Sequence, residues 1–111
     1  MSDLVLSAAD CTTMAQVRAG VDALDADLVA LLARRFGYMD AAARIKATRA
    51  AVRDEVRKAE VIANVRRHAV AAGLPADRLA LVWDALVEQS IAHEFDQWDA
   101  GRDAKRDAGR T

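Results

Sequence analysis

Five side chains stand out for what their types and spacing could do. Arg18, Arg35 and Lys46 lie on or directly beside an apolar series: Val17, Val21, Leu24, Leu28, Leu31, position 35, Tyr38, Ala42 and Ile45. The steps of that series alternate four and three residues, so Arg35 occupies a place where a buried hydrophobe is expected. An unpaired charge in a core is expensive, and each cation therefore needs a partner. A core carboxylate, escape of the charged tip to water, or an anionic small molecule would each meet that need. Ser90 and Glu94 are four residues apart. They share one helix face, as groups turned toward a ligand or as a helix edge turning to solvent.

Geometry restricts the first option. Arg35 and Lys46 are 11 residues apart, a helical rise of roughly 16 Å. Two long side chains leaning together across that gap could hold one small anion. Arg18 is 17 residues from Arg35, roughly 25 Å along the same helix. It is too far to join them, but it could reach the equivalent site of an antiparallel neighbour. A shared site completed by a second copy of the chain follows, if the cations bind a ligand at all.

The elements that must position these groups read as helices. The first is expected from about Met14 to about Arg49, with Thr12 or Thr13 as its N-cap. Gly20 and Gly37 fall inside it as tolerated interruptions. Periodicity lapses over Ala50 to Arg53, and Asp54 can cap a second helix reaching about Ala72. Its inward residues would be Val56, Ala59, Ile62, Val65 and Ala69. Gly73 and Pro75 form a helix stop. A third helix begins near Pro75 or Asp77 and carries Leu79, Val82, Trp83, Leu86, Ile91 and Trp98 as apolar members. The expected fold is therefore all-α, with one long helix and two shorter ones. The domain is expected over residues 1–98, and the polar repetitive stretch 99–111 is expected to be a disordered tail. A first helix of roughly 50 Å, apolar from end to end, is not covered neatly by two helices of roughly 30 Å. A homodimer with the long helices side by side is the economical solution.

Composition narrows the function. Hydrophobic residues make up 53% of the 111 residues, enough for one core, while only 5% are aromatic and there is a single Pro. Abundant Ala, Leu and Arg favour helix over sheet. Basic and acidic residues number 16 and 17, for a net charge of -1. That is no footprint for nucleic acid or an anionic membrane, so any cationic site is local. Cys11 is the only cysteine, which excludes an intrachain disulfide and a cysteine-based metal cluster. It is expected to pack near the N-terminus. His93 and Glu94 are adjacent and point different ways, a poor metal pair, His68 has no partner at ligand spacing, and no zinc motif, phosphate loop or nucleophile elbow is present. No metal and no cofactor are expected. The opening residues lack a basic stretch and no run is long enough to span a membrane, so the expected location is cytoplasmic.

The run Arg18-Ala-Gly-Val-Asp22-Ala-Leu-Asp25-Ala-Asp-Leu28-Val-Ala-Leu31-Leu32-Ala-Arg34-Arg35, with Lys46 eleven beyond, resembles the all-helical chorismate mutase family. The likeness covers about Asp10 to Trp98. The Asp-Cys-Thr entry and the stretch from Tyr38 to Lys46 look most like the isochorismate-pyruvate lyase branch. The resemblance implies an intertwined helical homodimer that binds a small dicarboxylate, chorismate or isochorismate. It implies that Arg18 crosses the dimer to one substrate carboxylate, that Arg35 grips the other from the same chain, and that Lys46 lies at the ether oxygen. Arg57 matches a further substrate-binding arginine, Asp54 an aspartate on the ring hydroxyl, and Ser90 a substrate-binding serine. Glu94 stands where the family usually has a glutamine donating to the ether oxygen. Lys58 stands where mutases have a glutamate on the ring hydroxyl.

The implied reaction is the pericyclic rearrangement of chorismate to prephenate. Such a reaction needs a held conformer and stabilisation of charge growing on the ether oxygen. Bidentate arginines suit the first task and Lys46 the second. An ionised Glu94 would repel that growing charge, so it must carry a proton to help, and activity is expected to rise as it gains one. Two alternatives stay open. One is an isochorismate-pyruvate lyase that yields salicylate and pyruvate by breaking the same ether bond. The other is a non-catalytic helical dimer whose inward cations are structural.

Overall fold

A computed structural model describes residues 5–109. The first four residues of the lead-in and the last two of the expected tail, 110–111, lie outside the described residues. All regular structure among the described residues is helical: α1 is Met14–Ile45, α2 is Glu55–Ala71 and α3 is Ala76–Ala108, with short 3-10 turns at Ala8–Asp10 and Arg49–Ala51. The chain divides into two units, residues 1–35 and 36–111, the cut falling within α1. No helix among the described residues is long and apolar enough to cross a membrane.

In the first unit, Thr13 is the residue that starts α1. Its hydroxyl accepts from the Gln16 amide at 3.2 Å, and Gln16 Oε1 accepts in return from the amides of Thr12 at 2.8 Å and Thr13 at 3.2 Å. This reciprocal arrangement satisfies donors that the first turn of a helix otherwise leaves open. Cys11 donates its thiol to the Ser7 carbonyl at 3.4 Å. A Cβ built on Gly20 would meet Val5 Cγ1 at 3.8 Å and the Leu6 carbonyl at 4.0 Å. Those are ordinary contacts, so glycine is tolerated there rather than required. The apolar series of α1 stays exposed in the chain: Val21 is 50%, Leu24 62% and Leu28 53% accessible.

The second unit holds the core. Val52, Val87 and Ile91 are buried together, with Val61, Phe95 and Trp98 packed on them. Asp54 caps α2, its Oδ1 accepting from the Arg57 amide at 3.0 Å. The far end closes as a Schellman turn: the Leu74 amide reaches Ala69 O at 2.8 Å, the Gly73 amide reaches Val70 O at 3.1 Å, and Gly73 adopts φ 73°. Only a residue without a Cβ takes that conformation freely, which is why the stop at Gly73 and Pro75 is sharp. Val56 and Val82 do not face inward as expected; they are 74% and 58% exposed. The inner face of α2 runs through Val61 and Ala69, and that of α3 through Ala80, Val87, Ile91 and Glu94.

Two element ends differ from expectation. α1 stops at Ile45, four residues before Arg49, and the carbonyls just past its end bond α3 instead: Trp98 Nε1 donates to Lys46 O at 3.1 Å and an Arg102 Nη to Ala47 O at 2.8 Å. α3 is not a shorter helix ending near Trp98. It has 33 residues against 32 in α1 and continues through the segment expected to be disordered, as far as Ala108. The Arg102 guanidinium lies 4.6 Å over the Trp98 ring, and Arg49 Nε pairs with Asp99 at 3.0 Å. These contacts tie the added turns to the rest of the unit, where composition alone suggests a free tail.

Candidate functional site

Of the seven residues singled out, the structure places Arg18 and Arg35 in the first unit and Lys46, Asp54, Arg57, Ser90 and Glu94 in the second. Arg18 is exposed on α1, and Arg35 is half-buried. The second unit brings Lys46 and Glu94 into direct contact. Lys46 Nζ lies 2.6 Å from Glu94 Oε2, and it also donates to the Val52 carbonyl at 3.3 Å. The carboxyl is almost wholly enclosed, at 5% side-chain accessibility, whereas the lysine keeps 28%. An ammonium has three N–H donors. Two are engaged by protein, and the accessible flank of Lys46 is the place for a third acceptor.

The chain positions this pair by simple means. Lys46 is the first residue past the end of α1, with its amide still bonded to Ala42 O at 2.9 Å. Glu94 sits on the inner face of α3, four residues after Ser90, which is 3% exposed. The Ser90 hydroxyl donates to Leu86 O at 2.7 Å, one turn back on the same helix. No buried side-chain nitrogen or oxygen among the described residues lacks a hydrogen-bond partner. A buried carboxylate with a cation and a neighbouring carbonyl around that cation is therefore a completed arrangement, as buried charge requires.

Asp54 and Arg57 meet through the helix cap already described, by the carboxylate and the backbone amide. The Arg57 side chain is exposed. Lys58 is committed elsewhere: its ammonium pairs with Glu88 at 2.8 Å and Asp84 at 3.0 Å across α2 and α3. Arg53 joins the same cluster, bonding Glu88 at 2.8 Å and Glu55 at 2.9 Å. Hydrogen bonds from Arg53 and then Lys58 push the Glu88 carboxyl down from 4.5 to about 2. The same contacts raise Lys58 and Arg53 above their ordinary values, Glu88 being the largest cause for each.

Sequence reasoning missed several contributors around the pair. The Val52 carbonyl carries no sequence signal, since any residue supplies one. Asp40 Oδ1 lies 2.6 Å from His93 Nε2, and the His93 ring meets Phe36 edge-on at 5.0 Å. Trp98 and Arg102 hold the end of α1, and their four-residue spacing was the available clue. No group of three His, Cys, Asp or Glu side chains among the described residues is arranged to hold a metal ion.

The arrangement has a simple chemical capability. The enclosed Glu94 carboxyl orients the Lys46 ammonium, whose accessible flank can donate to an acceptor. Such a site stabilises negative charge developing on an oxygen brought against it. Residues 17–95 match the family model described as chorismate mutase type II. The isochorismate pyruvate lyase of Pseudomonas aeruginosa is 34% identical over 95 residues, covering 86% of this chain and 94% of that protein. With the match spanning most of its length and both Lys46 and Glu94, the chain belongs to the chorismate mutase type II family.

Proposed function

We propose that the chain is a chorismate mutase that converts chorismate to prephenate without a cofactor. The observation that carries this reading is the contact between Lys46 and the enclosed Glu94 at 2.6 Å, inside the span of the family match. In the proposed mechanism Lys46 donates to the ether oxygen as its bond to the ring breaks, and Glu94, in contact with that ammonium, takes part beside it. Arg35 and an Arg18 from a second copy clamp the two carboxylates, fixing the conformer in which the bond-forming carbons face each other. Asp54, Arg57 and Ser90 contribute the remaining substrate contacts. The dimer that this requires is supported by the exposed apolar series Val21, Leu24 and Leu28 of α1, which a second chain would cover.

A second reading has its own support. The Pseudomonas relative is named for isochorismate-pyruvate lyase activity, a cleavage of the same ether bond that uses the same cations. Purified protein given chorismate and isochorismate in separate reactions decides between them. Prephenate from chorismate as the faster reaction supports the mutase. Salicylate and pyruvate from isochorismate as the faster reaction replaces it with the lyase. Consumption of neither leaves the non-catalytic helical module.

A further inference from the structure

Residue 46 is held by α3 at both of its ends. Its ammonium contacts Glu94 at 2.6 Å. Its carbonyl accepts from Trp98 Nε1 at 3.1 Å and from an Arg102 Nη at 3.5 Å, and the same nitrogen donates to Ala47 O at 2.8 Å. The Arg102 guanidinium is itself fixed 4.6 Å over the Trp98 ring. Glu94, Trp98 and Arg102 recur at four-residue intervals, one ridge along the helix. Two of these three lie beyond residue 95, where the family match ends.

We propose that Trp98 and Arg102 are positioning residues for Lys46, acting through its backbone. This inference rests on the catalytic role assigned to Lys46 above and extends it to residues that contact no substrate. The physical argument concerns the end of a helix. The carbonyls of Lys46 and Ala47 follow directly on α1 and have no helical partner, and without one the chain beyond Ile45 would fray. Lys46 is the first residue that fraying would release. An indole N–H and a guanidinium close those carbonyls from a neighbouring helix, and the cation also suits the negative end of the α1 dipole. The backbone of residue 46 then cannot drift, so its flexible four-carbon stem delivers the ammonium to one place. Arg49 reinforces the same segment by pairing with Asp99 and by lying 4.5 Å over the Phe95 ring.

The test uses the full chain and three variants. Arg102→Ala removes the guanidinium, and Trp98→Phe keeps an aromatic ring while deleting its donor. Arg102→Lys retains charge but not the planar fork or stacking. The expected result is a fall in kcat of roughly tenfold for each of the first two, with KM little changed, because small displacements of a catalytic group are costly. Arg102→Lys should recover part of the loss. Amide hydrogen exchange across residues 46–52 should quicken in the same variants. Unchanged exchange overturns the strap itself, and faster exchange with unchanged kcat overturns its role in positioning. A wild type that consumes neither chorismate nor isochorismate overturns the assigned reaction and the catalytic part of this inference together. Faster exchange in the variants would then still support the strap. Should Arg102→Ala fail to fold, Trp98→Phe carries both readouts.

Discussion

Two lengths of helix in this chain are built from similar residues and end in opposite conditions. Over its first half α1 carries an apolar series, yet Val21, Leu24, Leu28 and Leu31 each remain at least half exposed. Over its middle α3 carries a comparable series, and Val87, Ser90, Ile91 and Glu94 are all buried. The difference is one of partners. α3 has α2 and the turn through Val52 against it, whereas the α1 series faces outward. The lesson is that the chain alone completes the Lys46–Glu94 contact, while the apolar series of α1 finds no such cover among the described residues.

The sharpest way to break the comparison is to remove the completed pair. Lys46→Ala is expected to lower kcat by about 10²–10³-fold, the loss typical of a donor to developing charge. It also leaves Glu94 enclosed without a cation, which is destabilising by up to about 3–5 kcal/mol. The double variant Lys46→Met with Glu94→Gln should restore the melting temperature without restoring turnover. Recovery of both would mean that the pair is structural only. At the exposed end of the comparison, Leu28→Asp should turn a dimer into monomers in sedimentation and lower the melting temperature by several degrees. A wild type that sediments as a monomer removes the contrast at its root.

Smaller effects sharpen it. Glu94→Gln fixes a donor beside Lys46 whatever the pH. Turnover should change severalfold in this variant, with KM little moved. An unchanged kcat would take Glu94 out of the chemistry. The weakest effect concerns Glu88, whose carboxyl is held at about 2 against an ordinary 4.5. Because its folded value is the lower one, its contribution is fully present above about 4.5 and is lost as pH falls toward 2. Glu88→Gln should therefore melt earlier than wild type near neutrality, and the two melting temperatures should converge near pH 2. Parallel curves across that window would show that the Arg53 and Lys58 contacts contribute nothing to stability, as exposed pairs often do.

Much of this was legible in the sequence where the cause is local. Thr13 at the start of α1, Asp54 at the start of α2, and the stop at Gly73 and Pro75 each act on their own backbone within a few residues. Glu94 was legible as an inward polar group because four-residue spacing from Ser90 put both on one face. What was hidden has distant causes. The chain just past α1 is held by Trp98 and Arg102, which reach the carbonyls of Lys46 and Ala47 from more than fifty residues along the chain. The polar segment after Trp98 reads as disordered by composition, yet it is helix to Ala108 and its Asp99 and Arg102 contact residues 46–49. Lys58 looked like a departure from a substrate site, and its commitment to Asp84 and Glu88 depends on the register of α2 against α3.

The unbroken run of α3 from Ala76 to Ala108 has a consequence for how this chain can change. On one continuous helix, angle is set by residue count, about 100° for each residue. Glu94, Trp98 and Arg102 therefore keep their aim at residue 46 only while the intervals between them stay at four. A single residue inserted between Glu94 and Trp98 would swing the indole and guanidinium about a quarter turn away, though every side chain were still present. Substitution along this stretch can be gradual, but change in length cannot. The part of α3 from Glu94 to Arg102 behaves as a fixed count, and length is free to vary only beyond it.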